Sequence, residues 1–421
     1  MALFIKNIGE LILVEEKPVE KVSGRDMARL NILRDAWVYV REDRISEFGN
    51  HASDGELRMT DYEPGAEVLD ASGCVVMPCF CDSHTHLVFA GSREKEYIDK
   101  IRGLSYEEIA KRGGGILNSA KRLRRTSEEE LLEQALPRLE EILKLGTGAV
   151  EIKSGYGLTP EDELKMLRVI RKLKEISPLT IVATFLGAHA VPENFKGRQS
   201  EFVDQVIHEM IPQVAAEGLA DYIDVFCDRG FFTVEETDRI LLAGMKYGLK
   251  AKIHANELDY SGGVQVGVKY DALSVDHLEH AGMEEMECLA GSGTMPTLLP
   301  GASFFLGLPY APARQMIDHG LPVALASDFN PGSSPSGNMQ FILSLGCIQC
   351  RLLPEEAIHA VTINGAYAMG LSGELGSIAR GKKANLIITR PVPSYEYLPY
   401  AYGSNKVRTV ILNGKVVTHN E

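Results

Sequence analysis

The sequence predicts an α/β protein in which a (β/α)8, TIM-like barrel carries a small discontinuous β-sandwich domain built from both chain ends. Eight short apolar runs alternate with longer helical segments through the middle of the chain, while the two ends share a different, strand-rich style. The polar residues His84, His86, Ser154, His189, His254, His277 and Asp328 all fall at or just beyond the ends of the apolar runs. In a barrel those ends converge on one face.

The elements follow in order. Residues 11–14, 36–40 and 44–49 alternate apolar and polar side chains between turn residues, which predicts a small antiparallel sheet. The tail returns to this pattern at 376–378, 384–388 and 407–417, the last interrupted by the turn pair Asn413-Gly414. Short strands at either end alone make too small a core, so residues 1–69 and 376–421 are expected to form one composite domain around a barrel of residues 70–375. The eight barrel runs are 74–82, 148–154, 180–187, 222–227, 250–254, 272–276, 292–299 and 322–327. Between them, 128–145, 160–176, 201–218 and 233–247 carry apolar residues at helical spacing with charges between. On pattern alone, a doubly wound open sheet is the alternative.

Composition narrows the function classes. The 421 residues include 44 Lys+Arg and 58 Asp+Glu, a net charge of −14, which argues against nucleic acid or an anionic membrane as partner. Hydrophobic residues at 45% and charged residues at 24% are ordinary for a globular protein, and the 40 glycines suit repeated strand-loop-helix units. Seven scattered cysteines form no disulfide framework, and the start of the chain lacks a basic segment followed by an apolar run. A cytoplasmic location is expected. No apolar run approaches the roughly 20 residues that span a bilayer.

The chemistry starts at Asp82-Ser83-His84-Thr85-His86, where His-x-His in extended backbone puts two imidazoles on one face. A third imidazole comes from His254 and a carboxylate from Asp328, both at later strand ends. Three neutral imidazoles and one carboxylate suit Zn2+ or a similar ion with room for water, whose pKa the ion brings toward neutrality. Such a set hydrolyses. Asp82 is close enough in sequence to support an imidazole from behind.

These residues, with His254-x-x-Glu257 and Ser327-Asp328, resemble the amidohydrolase superfamily in its mononuclear cyclic-amide branch. The closer resemblance is to the imidazolonepropionase family of histidine degradation. It rests on 84–89 with Arg93, Gly113-Gly114-Gly115-Ile116, Glu151-Ile152-Lys153-Ser154-Gly155-Tyr156-Gly157, 184–189 and Ser327-Asp328-Phe329-Asn330-Pro331-Gly332-Ser333, which span nearly the whole chain. The resemblance implies hydrolysis of 4-imidazolone-5-propanoate to N-formimidoyl-L-glutamate by opening the ring at its amide bond. It also implies one divalent or trivalent ion per chain, Zn2+ or Fe3+, and a small-molecule substrate; the acidic charge leaves no nucleic-acid or membrane partner expected, and a homodimer is the default expectation because such dimers are common. Arg93 would bind the substrate propionate as a bidentate cation, Tyr156 and His189 would hydrogen-bond the substrate, and Asn330, Gly332 and Ser333 would offer further donors. Glu257 would hold the ring nitrogen and pass a proton to the leaving amine, Asp328 would accept the water's proton while bound to metal, and His277 would polarise the carbonyl, leaving His280 structural.

Other signals rank lower. Cys347-Ile348-Gln349-Cys350 has no second pair, and Gly113-Gly114-Gly115 lacks the Lys-Ser or Lys-Thr of a phosphate loop. Lys153 lies on strand two, where the bridging carbamate of dinuclear relatives is not expected. Two positions depart from the family: Cys79 stands for Gly and Asn256 for Asp, both read as lying beside the metal. The rival readings are a deaminase or hydrolase of another cyclic amide or amidine, against which Arg93, Tyr156 and Asn330 decide, and a silent scaffold, against which the intact ligand set decides.

Overall fold

The computed structural model describes residues 2–50, 65–104, 108 and 114–420; Gly113 of the triple-glycine segment and residues 51–64 of the N-terminal β region lie outside these. The N-terminal strands are β1 (Ala2–Ile12), β2 (Ile32–Arg41), β3 (Arg44–Asn50), β4 (Glu67–Asp70) and β5 (Val75–Pro78). The C-terminal strands are β15 (Leu386–Thr389), β16 (Val407–Leu412) and β17 (Lys415–His419). All eight join one hydrogen-bonded sheet in the order β17-β16-β15-β5-β1-β2-β3, with β4 beside β1. The pairs are antiparallel except β1 with β4 and β1 with β5. Leu3, Ile5, Ile8 and Leu11 share one apolar cluster with Val38, Val40, Val76, Ile388 and Ile411. Neither chain end supplies that core alone.

The apolar run 74–82 is two strands rather than one. Pro78 of β5 pairs with Leu386 in the terminal sheet, whereas β6 (Phe80–Thr85) begins the barrel, where the Phe80 N–H donates to Gly146 O at 3.0 Å. The terminal sheet therefore reaches past residue 70 to Pro78. Both strands are buried throughout, so no polar turn residue marks the handover. Cys79 sits at this joint and corrects the expectation that it lies beside the metal. Its Sγ faces Ile411 O at 3.8 Å, and its Cβ occupies the space that a side chain on Gly148 would need. His84 and His86 are at the other end of β6.

The barrel continues through β7 (Thr147–Lys153), β8 (Thr180–Ala188), β9 (Tyr222–Cys227), the broken fifth strand β10 (Lys250–Ala251) and β11 (Ile253–Ala255), β12 (Ser274–His277), β13 (Met295–Leu298) and β14 (Ala324–Leu325). The pairs are parallel and run in sequence order from β6 to β14. Thr85 bridges to Phe329, the His86 N–H donates to Phe329 O at 2.9 Å and the Asp328 N–H donates to His84 O at 3.0 Å. These contacts join the last strand to the first, which excludes the open doubly wound sheet. Asp82 completes the seam by accepting the Ser327 N–H at 2.9 Å and the Ser327 hydroxyl. Asp82 thus serves barrel closure, not an imidazole.

The outer helices start where capping chemistry dictates. Ser127 and Glu130 form a capping box ahead of Glu128–Lys144, and Thr233 and Glu236 do the same ahead of Val234–Met245. Leu131, Ala135, Leu139 and Ile142 form the buried stripe of the first of these. Among the described residues no helix is long and apolar enough to cross a membrane. The helix Ile363–Ala368 lies directly on β6, where a Cβ on Gly365 would collide with Cys81 O. Gly365→Ala should therefore cost about 1–3 kcal/mol of stability by overpacking, read as a lower melting temperature in calorimetry. Gly373→Ala, which adds a methyl to open space, should leave that temperature unchanged.

Candidate active site

The strand ends gather the expected residues at one mouth. A cleft of about 1390 Å³ is lined by His86, Arg93, Tyr156, His189, His254, Glu257, His277, Asp328, Asn330, Gly332 and Ser333, among others. His84 lies beneath it, fully buried. One ligand atom from each of His84, His86 and His254 lies within 4.8 Å of the others. His254 Nε2 is 3.4 Å from His86 Nε2, and Asp328 Oδ1 is 3.6 Å from His84 Nε2 and 3.8 Å from His86 Nε2.

The opposite ring nitrogens explain why these edges converge. His84 Nδ1 is 2.7 Å from Asp276 Oδ2, His254 Nδ1 is 3.0 Å from Asp224 Oδ2, and His86 Nδ1 is 3.4 Å from Ser154 O. An oxygen behind each ring, a hydrogen-bond partner at His84 and His86 and a close carboxylate contact at His254, favours the proton on Nδ1 and leaves the Nε2 lone pair facing the cluster. His84 Nε2 is buried without a hydrogen-bond partner, an arrangement that costs free energy unless another atom meets it. Burial, with the Lys153 charge and the neighbouring imidazoles, holds His84 well below the usual histidine pKa, and burial with His189 and His254 does the same for His86. Neutral imidazoles are the form that coordinates. The donor set therefore fits a metal cation.

Around this cluster, Glu257 Oε2 lies 3.7 Å from His277 Nε2, and Glu279 Oε2 lies 3.6 Å from His277 Nδ1. Burial raises the Glu257 carboxyl, and the Glu257 and Glu279 carboxylates overcome burial to raise His277. Burial also raises Asp328. The backbone is strained at the same place: His277 has φ 84°, Leu278 φ 67° and Asp328 φ 53°. His189 stacks on His86 with ring centres 5.2 Å apart, and Tyr156 stands 5.7 Å from His86. His280 turns away, its ring against Tyr260.

The structure adds partners that the sequence does not show. Asn330 Oδ1 accepts the Gly332 N–H at 2.7 Å and the Ser333 N–H at 2.8 Å, while its Nδ2 donates to Asp328 O and Ser333 Oγ, both at 2.7 Å. The Ser333 hydroxyl donates to Asp328 Oδ2 at 3.0 Å. These bonds order the loop and fix Asp328, and all three residues line the cleft. Arg93 is not a lone cation: Glu96 accepts from its Nε at 2.7 Å and Nη2 at 2.6 Å, and also from the Gly115 N–H at 3.0 Å. A Cβ on Gly332 would collide with Arg93 Nη1, so glycine there admits the guanidinium. Asn256, at φ 57°, does not face the metal cluster but donates to His280 O and accepts from Ser261 Oγ, both at 2.8 Å. Sequence reading missed Glu96, Asp224, Asp276 and Glu279. The signal for Asp224 and Asp276 was a charged residue inside an apolar strand.

Comparison with known proteins matches this architecture. The Amidohydrolase family pattern matches residues 75–417. An imidazolonepropionase from Flavobacterium johnsoniae is 55% identical over 417 residues, covering 99% of this chain and 100% of that one. The chain belongs to the imidazolonepropionase family of amidohydrolases. Another imidazolonepropionase, from Geobacillus kaustophilus, is 43% identical over 420 residues, 99% of this chain and 98% of that one. Among solved structures, a 5-methylcytosine deaminase from Klebsiella pneumoniae superposes with a TM-score of 0.73 at 18% identity, covering 100% of this chain and 98% of that one. A guanine deaminase from E. coli gives 0.72 at 13% identity over 100% of both chains. Those two share the fold of this imidazolonepropionase family member.

The loop that carries Glu257 hangs on Asn256. Asn256→Ala removes its bonds to His280 O and Ser261 and puts alanine at φ 57°, which should cost about 1–3 kcal/mol. Melting temperature and kcat/KM should both fall, and Asn256→Gly should recover only the part owed to backbone strain.

Proposed function

We propose that the protein hydrolyses 4-imidazolone-5-propanoate to N-formimidoyl-L-glutamate, in the cytoplasm, with one Zn2+ or Fe3+ held by His84, His86, His254 and Asp328. The observation that carries this reading is the convergence of three buried Nε2 edges on Asp328, beside the Glu257–His277 pair. Full-length identity to imidazolonepropionases supports the substrate. When bound, the ion supplies Lewis acidity that brings a water's pKa toward neutrality.

The side chains then divide the work. Asp328 Oδ2 is fixed by the Ser333 hydroxyl at 3.0 Å, which leaves Oδ1, on the imidazole side, to accept the proton of the attacking water. His277, backed at Nδ1 by the Glu279 carboxylate at 3.6 Å, donates from Nε2 to the amide oxygen as negative charge develops there. Glu257, whose burial favours the protonated acid, holds the ring nitrogen and delivers the proton as the C–N bond breaks. Arg93, braced by Glu96 and bare along Gly332, pairs with the propionate, while Tyr156 and His189 form the wall against which the ring lies.

Incubating metal-loaded and chelator-stripped protein with fresh 4-imidazolone-5-propanoate tests the reading directly. N-formimidoyl-L-glutamate should form with the loaded protein only. If loaded protein holds stoichiometric metal and makes no product, the substrate assignment falls and other cyclic amides and amidines should be screened. Arg93→Met should raise KM about 10- to 100-fold through the lost charge-assisted contact, with a smaller change in kcat. Glu257→Gln should instead lower kcat by about 100-fold or more, because proton delivery is lost while the binding shape is kept.

A further inference from the structure

Below the three imidazoles the barrel interior carries charge where such barrels ordinarily stack branched apolar side chains. Glu151, Lys153, Asp224, Lys252 and Asp276 are each at most 1% exposed. Lys153 Nζ lies 2.7 Å from Glu151 Oε1, 2.8 Å from Asp224 Oδ2 and 3.4 Å from Asp276 Oδ2. Those two aspartate oxygens are the atoms that hold the imidazoles, Asp224 Oδ2 at 3.0 Å from His254 Nδ1 and Asp276 Oδ2 at 2.7 Å from His84 Nδ1. One ammonium therefore sits behind two of the three histidines. Glu151 is itself pinned by the Thr184 hydroxyl at 2.6 Å and by Lys252, whose ammonium also donates to Ser83 O at 3.1 Å and Ala368 O at 3.2 Å.

We propose that Lys153 is a positioning residue for the metal centre: its ammonium clamps Asp224 and Asp276 together, and through them aims the Nε2 edges of His254 and His84 at the cation. The inference rests on the reading of His84, His86 and His254 as metal ligands. It gives Lys153 a role unlike that of a carbamate bridge, since the amine is committed to carboxylates below the ligands rather than turned toward them.

Removing Lys153 has two opposed consequences for metal affinity. The barrel loses a positive charge near the site, which by Coulomb's law strengthens cation binding. Asp224 and Asp276 also lose the cation that draws them together, keeping only the His254 N–H and the Ser274 hydroxyl on their other oxygens, and loss of a partner behind a ligating histidine typically weakens metal binding about 10- to 100-fold. Positioning dominates here because both effects pass through the two aspartates: Lys252 pairs with Glu151, so buried Asp224 and Asp276 would face each other without the cation between them, repel one another and draw His254 and His84 out of alignment.

The test uses the full-length protein stripped of metal and titrated with Co2+ against a competing chelator dye, with the visible ligand-field spectrum recorded at saturation. Lys153→Met should bind Co2+ about 10- to 100-fold more weakly and show shifted ligand-field bands. Affinity equal to or tighter than that of the unsubstituted protein overturns the proposal. A fall in the melting temperature of the metal-free variant with unchanged affinity and spectrum also overturns it, since that marks a structural role alone. If Lys153→Met does not fold, the comparison is Asp276→Asn against the double variant Lys153→Met/Asp276→Asn, which removes one charge of each sign. Weaker Co2+ binding by the double variant supports the clamp on Asp224, and equal binding overturns it. Failure of the underlying reading looks different: His84→Ala and His254→Ala would leave Co2+ affinity unchanged, whatever Lys153→Met does.

Discussion

The seam between the first and last barrel strands is the contact on which the site depends. His84 and His86 lie at the end of β6, and Asp328 follows β14 near the end of the barrel sequence. Backbone bonds from the Asp328 N–H to His84 O and from the His86 N–H to Phe329 O align the two chain segments residue by residue. Asp82 adds a side-chain clasp on Ser327. Because these bonds are directional, a slip in register would turn Asp328 away from the imidazoles and open the barrel at the same time. Fold closure and ligand geometry are one event.

Such a site stores cost. Charged and imidazole groups in the barrel are withdrawn from water, and the left-handed backbone at His277, Leu278 and Asp328 adds strain. The surrounding structure sets this against paired charges and saturated donors: Lys153 and Lys252 against Glu151, Asp224 and Asp276, and the Asn330 amide against its own loop. The consequence for chemistry is a set of groups held in forms unusual in water, with His84 and His86 neutral and Glu257 shifted toward the acid. Neutral imidazoles can ligate, and a carboxylic acid can deliver a proton.

What was legible in the sequence follows from which signals are local. His-x-His on an extended strand puts two imidazoles on one face by its spacing, and the alternation of apolar runs with helical segments declares the barrel even though the runs 74–82 and 250–254 each split into two strands. The handover at Cys79 was hidden because β5 and β6 are both buried, and a continuous apolar run carries no mark of the sheet it belongs to. The hydrogen bonds of Asn330 and Asn256 were equally hidden. An amide in a loop reads the same whether it faces a ligand or its own backbone, and only the fold decides. The buried charges were visible as Glu151, Lys153, Asp224, Lys252 and Asp276 within apolar strands, but their partners lie on other strands, so sequence shows the charges and not the pairing.

Recognition of an anionic propionate by a chain of net charge −14 requires a local reversal of sign. Arg93 alone does not supply it, because Glu96 lies against its Nε and Nη2 and makes the pair close to neutral. What the pairing provides is rigidity: the guanidinium is held by Glu96 with Nη1 toward Gly332, an edge that on the proposed reading is preset for a carboxylate. Arg138 also lines the cleft. Its Nη1 donates to Leu87 O at 2.9 Å and Phe89 O at 3.0 Å, and its guanidinium lies 3.4 Å over the Phe89 ring. Carbonyls and an aromatic face hold a cation without cancelling it, and burial lowers the Arg138 pKa only to about 10, so the charge persists at neutral pH. On the proposed reading, Arg93 offers the propionate a fixed edge and Arg138 adds a positive charge to the wall of the same cleft, within an otherwise acidic protein.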